Sequence, residues 1–266
     1  MIYITGDCHG EYGRFNVFDF KEQDDMAKDD YVIICGDFGY WLPNEKQDFQ
    51  LDILASKNFT TLFIDGNHEM YRTNRDLTLK HKNKYEKGLY DLPVEEWHGG
   101  KVHKLNDSVI HLMRGQVFDI RGLTFFTFGG ARSHDIGDGI INPDSYNTHR
   151  EFREALAELS SRRARFRIKG WSWWPEEVPS EEEMAEGLEN LAKHGNKVDY
   201  ILSHEGPADA VALYGKGWYH PDDFSRYLQK IDETTEFKTH FFGHYHDNVV
   251  IDDKRTLVFE KKIRIE

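Results

Sequence analysis

Residues 2–10, which read IYITGDCHG, give the clearest indication of the fold. The first four residues of this stretch are β-branched or aromatic, which is typical of a buried strand, and Gly6 ends the run. Asp7 and His9 follow directly, so the pattern predicts a strand that delivers a carboxylate and an imidazole at its carboxyl end. A glycine at such a place lets the backbone turn sharply without a side chain in the way.

The same arrangement occurs four more times along the chain. Apolar runs lead directly into Asp, Asn or His at Tyr31–Cys35 with Gly36-Asp37, at Thr61–Asp65 with Gly66-Asn67-His68-Glu69, at Val198–Ser203 with His204, and at Thr239–Phe242 with Gly243-His244-Tyr245-His246. In open α/β sheets, ligands bind beyond the carboxyl ends of the strands. The sequence therefore predicts that five segments bring polar side chains to one edge.

Strands and helices alternate in this pattern, which predicts an α/β fold. Helix-compatible stretches at Glu11–Phe20 and Glu45–Asn58 separate the first three strands, and the 28 residues from His9 to Asp37 are about the length of a βαβ unit. A largely parallel sheet is therefore expected at the start of the chain. Further strands are predicted at Val109–Met113, Leu123–Phe128 and Leu257–Ile263.

Two later helices have readable boundaries. Glu181–His194 is predicted as a helix because Ser180 and Glu183 have the spacing of a capping box and Gly195 can end it. Pro221–Ile231 is predicted as a second helix, since its apolar residues fall on one face.

Residues 144–196 fit neither half of a sheet and are interpreted as a mainly helical insertion within a single domain of residues 1–266. They hold three tryptophans and a basic run without an acidic residue, namely Trp171, Trp173, Trp174 and residues 162–169. The tryptophans are expected to anchor the insertion to the core, with a lid or a base-stacking surface as the alternative. The basic run is expected to be a solvated face, with a grip on polyphosphate or nucleic acid as the alternative.

Composition indicates a globular protein whose 266 residues can bury one large core. A net charge of −13 repels nucleic acid in general and so disfavours it as a partner. No apolar run reaches the roughly 20 residues of a membrane helix, and the first strand leads into the Asp7 motif without room for a signal peptide. With Cys8 and Cys35 expected as reduced core thiols, a cytoplasmic location without membrane contact is expected.

The predicted ligands favour a particular kind of metal site. Mixed carboxylate and imidazole ligands suit borderline divalent metals such as Mn, Fe, Zn, Ni or Co, and the set lacks the thiolates of a structural zinc site. One carboxylate can bridge two metals about 3.5–4 Å apart, an arrangement used for phosphoryl displacement. The expected cofactor is therefore a pair of divalent metal ions.

In order and residue type, the motifs resemble those of the calcineurin-like metallophosphoesterases: Asp-x-His, Gly-Asp, Gly-Asn-His-Glu, a lone His and Gly-His-x-His. All five blocks occur in that order between residues 6 and 246. The resemblance implies a β-sandwich flanked by helices (αββα) and a dinuclear metal centre. The residues it assigns are Asp7, His9 and His246 on one metal, Asn67, His204 and His244 on the other, Asp37 between the two, and His68 as general acid or transition-state stabiliser.

One motif departs from the serine/threonine phosphatase branch of that family. There the Gly-Asp block continues as Gly-Asp-x-x-Asp-Arg-Gly, whereas this chain has Tyr40 and Trp41 at the places of Asp and Arg. Protein phosphatase activity of that type is therefore doubtful, and an arginine that grips phosphate must come from elsewhere. The candidates for substrate contact are Arg72, Arg75 and Arg132, the last in a loop at residues 129–135 that either contacts substrate or is an ordinary turn.

The expected function is metal-dependent hydrolysis of a small or medium phosphomonoester or phosphodiester, with water activated as hydroxide between the two metals. A nuclease of the same fold acting on single-stranded DNA or RNA is one alternative, resting on the basic run and the tryptophans. A non-catalytic metal-binding scaffold is the other.

Overall fold

The computed structural model describes residues 1–40, 45–73 and 87–266, which form two large β-sheets with helices on their outer faces. The first sheet contains β1 (Ile2–Thr5), β2 (Tyr31–Cys35), β3 (Thr60–Ile64), β4 (Val94–Trp97), β5 (Gly100–Asn106), β6 (Val109–Leu112) and β15 (Ile263–Arg264). Its strand order is β15-β1-β2-β3-β6-β5-β4. Strands β1, β2, β3 and β6 are parallel, which confirms the parallel start predicted from the sequence.

The second sheet is built mainly from the later part of the chain. It contains β7 (Gln116–Ile120), β8 (Leu123–Phe128), β11 (Tyr200–Ser203), β12 (Thr239–Phe242), β13 (Val249–Val250) and β14 (Arg255–Leu257), in the order β13-β14-β12-β11-β8-β7. Strands β8, β11, β12 and β14 are parallel. A separate two-stranded sheet pairs β9 (Ile140–Ile141) with β10 (Arg167–Ile168).

The two large sheets pack face to face through apolar side chains. Ile33 and Leu62 of the first sheet belong to the same buried cluster as Phe118, Phe125 and Leu202 of the second. This cluster is the centre of the molecule, because it removes apolar surface of both sheets from water.

Helices cover the outer faces of the sandwich. The described residues contain α1 (Glu45–Ala55), α2 (His149–Ser161), α3 (Glu181–Lys193), α4 (Ala208–Gly215) and α5 (Asp223–Thr234). Leu51 and Leu54 of α1 pack on the first sheet, while Leu191 of α3 and Leu228 of α5 pack on the second. The expected α/β sandwich flanked by helices is confirmed.

The predicted helix boundaries agree best with the structure where the sequence contains capping residues. Ser180 and Glu183 form the predicted capping box of α3, which ends one residue before the predicted His194. Gly195 follows with φ +67°, a conformation that glycine adopts without steric cost.

Two predicted elements are wrong. Glu11–Phe20 contains only a short 3₁₀ turn at Gly13–Phe15, because Oδ1 of Asn16 accepts hydrogen bonds from the backbone N–H groups of Phe18 and Asp19 and so competes with helical pairing. Leu257–Ile263 is not one strand, since the chain leaves the second sheet after β14 and joins the first sheet at β15.

Residues 144–196 contain α2, β10 and α3, and their tryptophans differ in environment. Trp174 is buried in the cluster beneath α1, together with Tyr71 and Leu89, and so ties the segment to the first sheet. Trp171 makes an edge contact with Phe152 of α2. The last helix of the segment, α3, lies in the outer layer on the second sheet.

Both cysteines are buried and free. In the part of the chain that the structure describes, none of the helices has the length and apolarity needed to cross a membrane.

Candidate metal centre

The predicted ligands meet at the carboxyl ends of strands from both sheets. Asp7 and His9 follow β1, Asp37 follows β2 and Asn67 follows β3, all in the first sheet. His204 follows β11, and His244 and His246 follow β12, in the second. The site therefore lies at one end of the sandwich, where the two sheets bring their polar loops together.

One group of side chains surrounds the carboxylate of Asp7. The ligand atoms of Asp7, His9, Asp37 and His246 all lie within 4.8 Å of one another. Nε2 of His9 is 2.8 Å from Nε2 of His246, which in turn is 3.1 Å from Oδ2 of Asp7. Two ring nitrogens and a carboxylate oxygen thus face a common point, as ligands of one cation do.

A second group surrounds His204. Its Nε2 lies 3.1 Å from Oδ1 of Asn67 and 3.3 Å from Oδ1 of Asp37. Its Nδ1 lies 3.0 Å from the carbonyl oxygen of Cys35, which fixes the tautomer that leaves Nε2 free to ligate. The rings of His204 and His244 have centroids 4.9 Å apart.

Asp37 lies between the two groups. Its Oδ2 is 3.7 Å from Nε2 of His9, whereas its Oδ1 faces His204. Burial by itself would raise the pKa of Asp37, but His204 and His68 hold it well below its usual range. The carboxylate therefore stays ionised, as a bridging ligand must.

Backbone strain is concentrated at these residues. His9, Asp37, His244 and His246 all have positive φ, at 49°, 46°, 72° and 51°. A non-glycine residue in this region costs on the order of 1–3 kcal/mol, and such strain persists where the surrounding structure imposes it. Four of the seven predicted ligands therefore hold a sterically disfavoured conformation, although Asp and His adopt it more readily than most other non-glycine residues.

Two glycines of the motifs allow the close approach of the loops. A Cβ on Gly66 would lie 2.0 Å from Oδ1 of Asp37, and a Cβ on Gly36 would lie 2.1 Å from Nδ1 of His204. Gly36 also has φ +85°. Any side chain at these positions would push ligands out of place.

The donor set fits divalent cations. Oδ2 of Asp7 is buried, and the ring of His246, at 3.1 Å, is poorly oriented to donate to it, which is costly unless a cation satisfies the oxygen. Burial lowers the pKa of His9 and of His244, which keeps both rings in the neutral form that binds metal. Despite burial, Asp37 raises the pKa of His204 to about 10, and Asp7 raises that of His246, so these two rings would have to release a proton for a cation to bind. Carboxylate, amide and imidazole donors together suit the borderline metals named above.

His68 lies beside this centre, with Nε2 4.0 Å from Oδ2 of Asp37. Its backbone N–H donates to Oδ1 of Asp37 at 2.8 Å, so the two residues hold each other in place. Glu69 is buried and accepts hydrogen bonds from the backbone N–H groups of Gly39 and Tyr40, which ties the Gly36–Tyr40 loop to the end of β3.

The three candidate arginines differ in their surroundings. Arg72 forms ion pairs with Asp91 and Glu176, at 3.3 and 3.2 Å. Arg132 lines a cavity that also contains His134. Arg75 and Trp41 lie outside the described residues, and Tyr40 is buried with its hydroxyl donating to the carbonyl of Lys87.

An arginine that the sequence analysis did not single out reaches the centre. Nη2 of Arg167, on β10, lies 3.4 Å from Nε2 of His68, and the guanidinium is paired with the carboxylate of Asp135. Asp135 comes from the loop at residues 129–135. The basic run was visible in the sequence, but the strand pairing that aims Arg167 inward was not.

A second arginine supports the loop that carries Asn67 and His68. Arg114 is buried and donates to Asp65, the residue before Gly66, with Nε 2.9 Å from Oδ2. Nε2 of His111 lies 3.0 Å from the other oxygen of Asp65. Arg114 also donates to Tyr71 and to Glu183 at the start of α3, so it links the loop to the outer layer.

Two further groups belong to the surroundings of the ligands. Nδ2 of Asn67 donates to Ser133, whose hydroxyl donates to the buried carboxylate of Glu177, an arrangement that leaves Oδ1 of Asn67 pointing to His204. Nε2 of His134 lies 3.3 Å from Nε2 of His244. His134 belongs to the loop at residues 129–135 that the sequence analysis considered for substrate contact, whereas Glu177 carries no recognisable signal in the sequence, because it meets the site through tertiary contacts.

Comparison with known families agrees with this geometry. The family model of the calcineurin-like phosphoesterases matches residues 1–248 of the chain. The protein therefore belongs to the calcineurin-like phosphoesterase family, which implies metal-dependent hydrolysis of phosphoesters. Among curated proteins, none matches the chain.

Proposed function

We propose that this protein hydrolyses a phosphomonoester or phosphodiester at a centre of two divalent metal ions. Asp7, His9 and His246 would hold one ion, Asn67, His204 and His244 would hold the other, and Asp37 would bridge them. The observation that carries the proposal is the position of Asp37, whose two carboxylate oxygens face different ligand groups. When bound, such a pair of cations acidifies water and stabilises negative charge on phosphate oxygens.

His68 is proposed to hold the proton that the leaving oxygen takes. Its ring borders both Asp37 and Arg167 and is largely buried, with 15% of the side chain exposed. Burial lowers the pKa of His68 and so disfavours the protonated ring, whereas the ionised Asp37 beside it acts in the opposite direction. A negatively charged phosphoester next to the ring would favour the protonated form in the same way as Asp37 does.

Arg167 is proposed to contact the phosphate group beside His68. In the serine/threonine phosphatase branch, the Gly-Asp block supplies an Asp and an Arg near the catalytic histidine, and this chain lacks both at those places. Here the ion pair of Asp135 with Arg167 brings an Asp and an Arg close to His68. The planar guanidinium can donate two parallel hydrogen bonds to phosphate oxygens. Arg167→Gln should lower kcat for an aryl phosphate by about 10²-fold, whereas Arg162→Gln, which breaks an exposed ion pair with Asp138, should not.

The central experiment measures metal content and hydrolysis together. The protein is loaded with Mn²⁺ or Ni²⁺ and assayed with an aryl phosphate monoester and the matching diester. Turnover should need the metal and should fall strongly in His68→Ala, with His149→Ala, an exposed residue of α2, as the control. Full loading with metal and no turnover of either ester would refute the proposal.

A nuclease is the second candidate, favoured by the positions of two residues of the basic run. Arg167 borders His68, and Arg165 lines the cavity that contains His134. Cleavage of single-stranded DNA or RNA faster than of the small esters would support this candidate. A metal-binding scaffold would instead bind metal, hydrolyse none of these substrates and tolerate His68→Ala.

A further inference from the structure

A large cavity opens next to the candidate metal centre. Its volume is about 820 Å³, which is within the range of sites for small-molecule ligands. His134 lines the cavity and also lies 3.3 Å from His244, so the cavity begins where the second ligand group ends. A phosphoester bound at the metal centre could therefore extend into it.

The cavity is rich in cations that lack acidic partners. Arg132, Arg165 and Lys216 line it, and within the described part of the chain none of the three forms an ion pair. The guanidinium of Arg165 donates to the carbonyl oxygen of His134, whereas the neighbouring carboxylate of Asp138 accepts from the backbone N–H of Arg165 and forms its ion pair with Arg162. This local excess of three cations contrasts with the net charge of −13 of the whole protein.

The acidic residues of the cavity are already engaged in hydrogen bonds. Glu205 accepts from the hydroxyl of Tyr245 and the backbone N–H of Gly206. Asp222 caps α5 by accepting from the backbone N–H of Ser225. Neither carboxylate forms an ion pair with a lysine or arginine among the described residues, so the three cations have no ion-pair partner inside the cavity and outnumber its two carboxylates.

Aromatic side chains form another part of the cavity wall. Trp218 lines the cavity and is 88% exposed, although exposed tryptophan is uncommon. Tyr219 lies beside it in the chain and stacks on the ring of His134, with centroids 5.3 Å apart. Exposed aromatic faces of this kind offer stacking surfaces for a planar base.

We propose that this cavity binds the remainder of a phosphoester substrate that carries a second phosphate group and an aromatic base, the chemistry of a nucleoside bisphosphate. The inference rests on the proposed function, because the ester to be cleaved lies at the metal centre. In the reaction, a water oxygen bonds to phosphorus, the ester P–O bond breaks, and a proton passes to the leaving oxygen. The second phosphate pairs with Arg132, Arg165 and Lys216, and the base stacks on Trp218.

The test compares three phosphomonoesters, of which the two adenosine compounds share the 5′-phosphate ester and 4-nitrophenyl phosphate lacks both the base and the second phosphate. Adenosine 3′,5′-bisphosphate, adenosine 5′-monophosphate and 4-nitrophenyl phosphate are assayed with the Mn²⁺-loaded protein. The kcat/KM of the bisphosphate should exceed that of the monophosphate by at least about 100-fold, because each of two arginine–phosphate pairs contributes about tenfold. Arg132→Gln and Arg165→Gln should each reduce this ratio about tenfold, and Trp218→Ala should reduce the preference for both adenosine substrates over 4-nitrophenyl phosphate.

Arg153→Gln provides the matched control, because it removes the same charge from the exposed surface of α2. It should leave every ratio unchanged. If the protein hydrolyses 4-nitrophenyl phosphate without preferring the bisphosphate, or if Arg153→Gln changes the ratio as much as Arg132→Gln, the cavity inference is overturned while the proposed function stands.

A binding measurement separates the two proposals if no ester is hydrolysed. Calorimetric titration of the chelator-treated protein with adenosine 3′,5′-bisphosphate reports on the cavity without the metals. The dissociation constant should rise about tenfold in Arg132→Gln and in Arg165→Gln. Absence of binding, or equal binding by wild type and both variants, would overturn the inference.

Discussion

Replacing Arg114 by methionine tests how the loop that carries Asn67 and His68 is held. The guanidinium of Arg114 donates to Asp65 from Nε and Nη2, to the hydroxyl of Tyr71 and to the carbonyl of Glu176. Methionine fills much of the same volume but donates no hydrogen bond. The variant therefore leaves a buried carboxylate with no cationic arginine beside it, and with only the hydroxyl of Tyr71 and the ring of His111 within hydrogen-bond distance.

The expected loss in the free energy of unfolding follows from the burial of both Arg114 and Asp65. The side chains of Arg114 and Asp65 are 1% and 0% exposed. Removing one partner of a buried ion pair costs about 3–5 kcal/mol, because the other charge is left uncompensated. For a chain of this size, about 1 kcal/mol shifts the melting temperature by roughly 2–4 °C, so Arg114→Met should melt about 6–20 °C lower.

The pH dependence of the difference gives a second readout. Burial would raise the pKa of Asp65, but Arg114 and His111 hold it below its usual range. In the wild type, the stability contributed by this ionised carboxylate is present above the unfolded-state pKa of about 4 and is lost as the pH falls through the folded-state pKa. Without Arg114 the pKa of Asp65 should rise, so the variant should regain stability relative to wild type as the pH is lowered from 7 towards 5.

Urea denaturation and thermal melts of the metal-free proteins measure both effects. Arg150→Met is the control, since Arg150 pairs with Glu154 on the exposed face of α2 and should lose at most about 0.5 kcal/mol. A destabilisation below about 1 kcal/mol for Arg114→Met, with no dependence on pH, would refute the structural role of the pair.

Three further predictions concern the metals, one glycine and one histidine. Mn²⁺ at about 100 times its dissociation constant should stabilise the folded protein by about 2.7 kcal/mol. Thermal melts should show that Asp37→Asn loses most of this stabilisation. Gly66→Ala should lower the turnover of an aryl phosphate by about 10²-fold, because its Cβ would lie 2.0 Å from Oδ1 of Asp37. The control is Gly137→Ala, whose Cβ would have no atom within 4 Å and which should keep wild-type turnover. Equal turnover by the two variants would contradict the prediction. Burial lowers the pKa of His103 from 6.5 to about 4, so between these values the unfolded chain binds the proton more readily. The free energy of unfolding should fall by up to about 3 kcal/mol as the pH drops through that window, and urea titrations of His103→Gln should lack this part of the pH dependence.

The parallel core of the fold was predictable because its signals are local. β1, β2, β8 and β12 have the predicted bounds, since each is a short apolar run closed by glycine or a polar residue. Strand β4 escaped prediction, because its residues, Val94-Glu95-Glu96-Trp97, are largely exposed and give no continuous apolar run. It exists through pairing with β5, a contact that no local pattern encodes.

The residues of the candidate site were likewise predictable in part and missed in part. The assignment of seven ligands and His68 stays a prediction, and the structure brings those side chains to one end of the sandwich as that prediction requires. Arg167, Arg114 and Glu177 were missed, because each comes from a distant part of the chain and is aimed by strand pairing or by a buried ion pair.

The α/β class, the order of the strands and the motifs that follow them can be predicted from the amino-acid sequence, because strand burial and ligand chemistry are properties of residue types in short windows. Which side chains surround those motifs depends on tertiary contacts. The ion pair of Asp135 with Arg167 and the cavity beside His134 join residues dozens of positions apart. Such contacts depend on how two sheets and their outer layers pack, and packing is a property of the whole chain rather than of any segment.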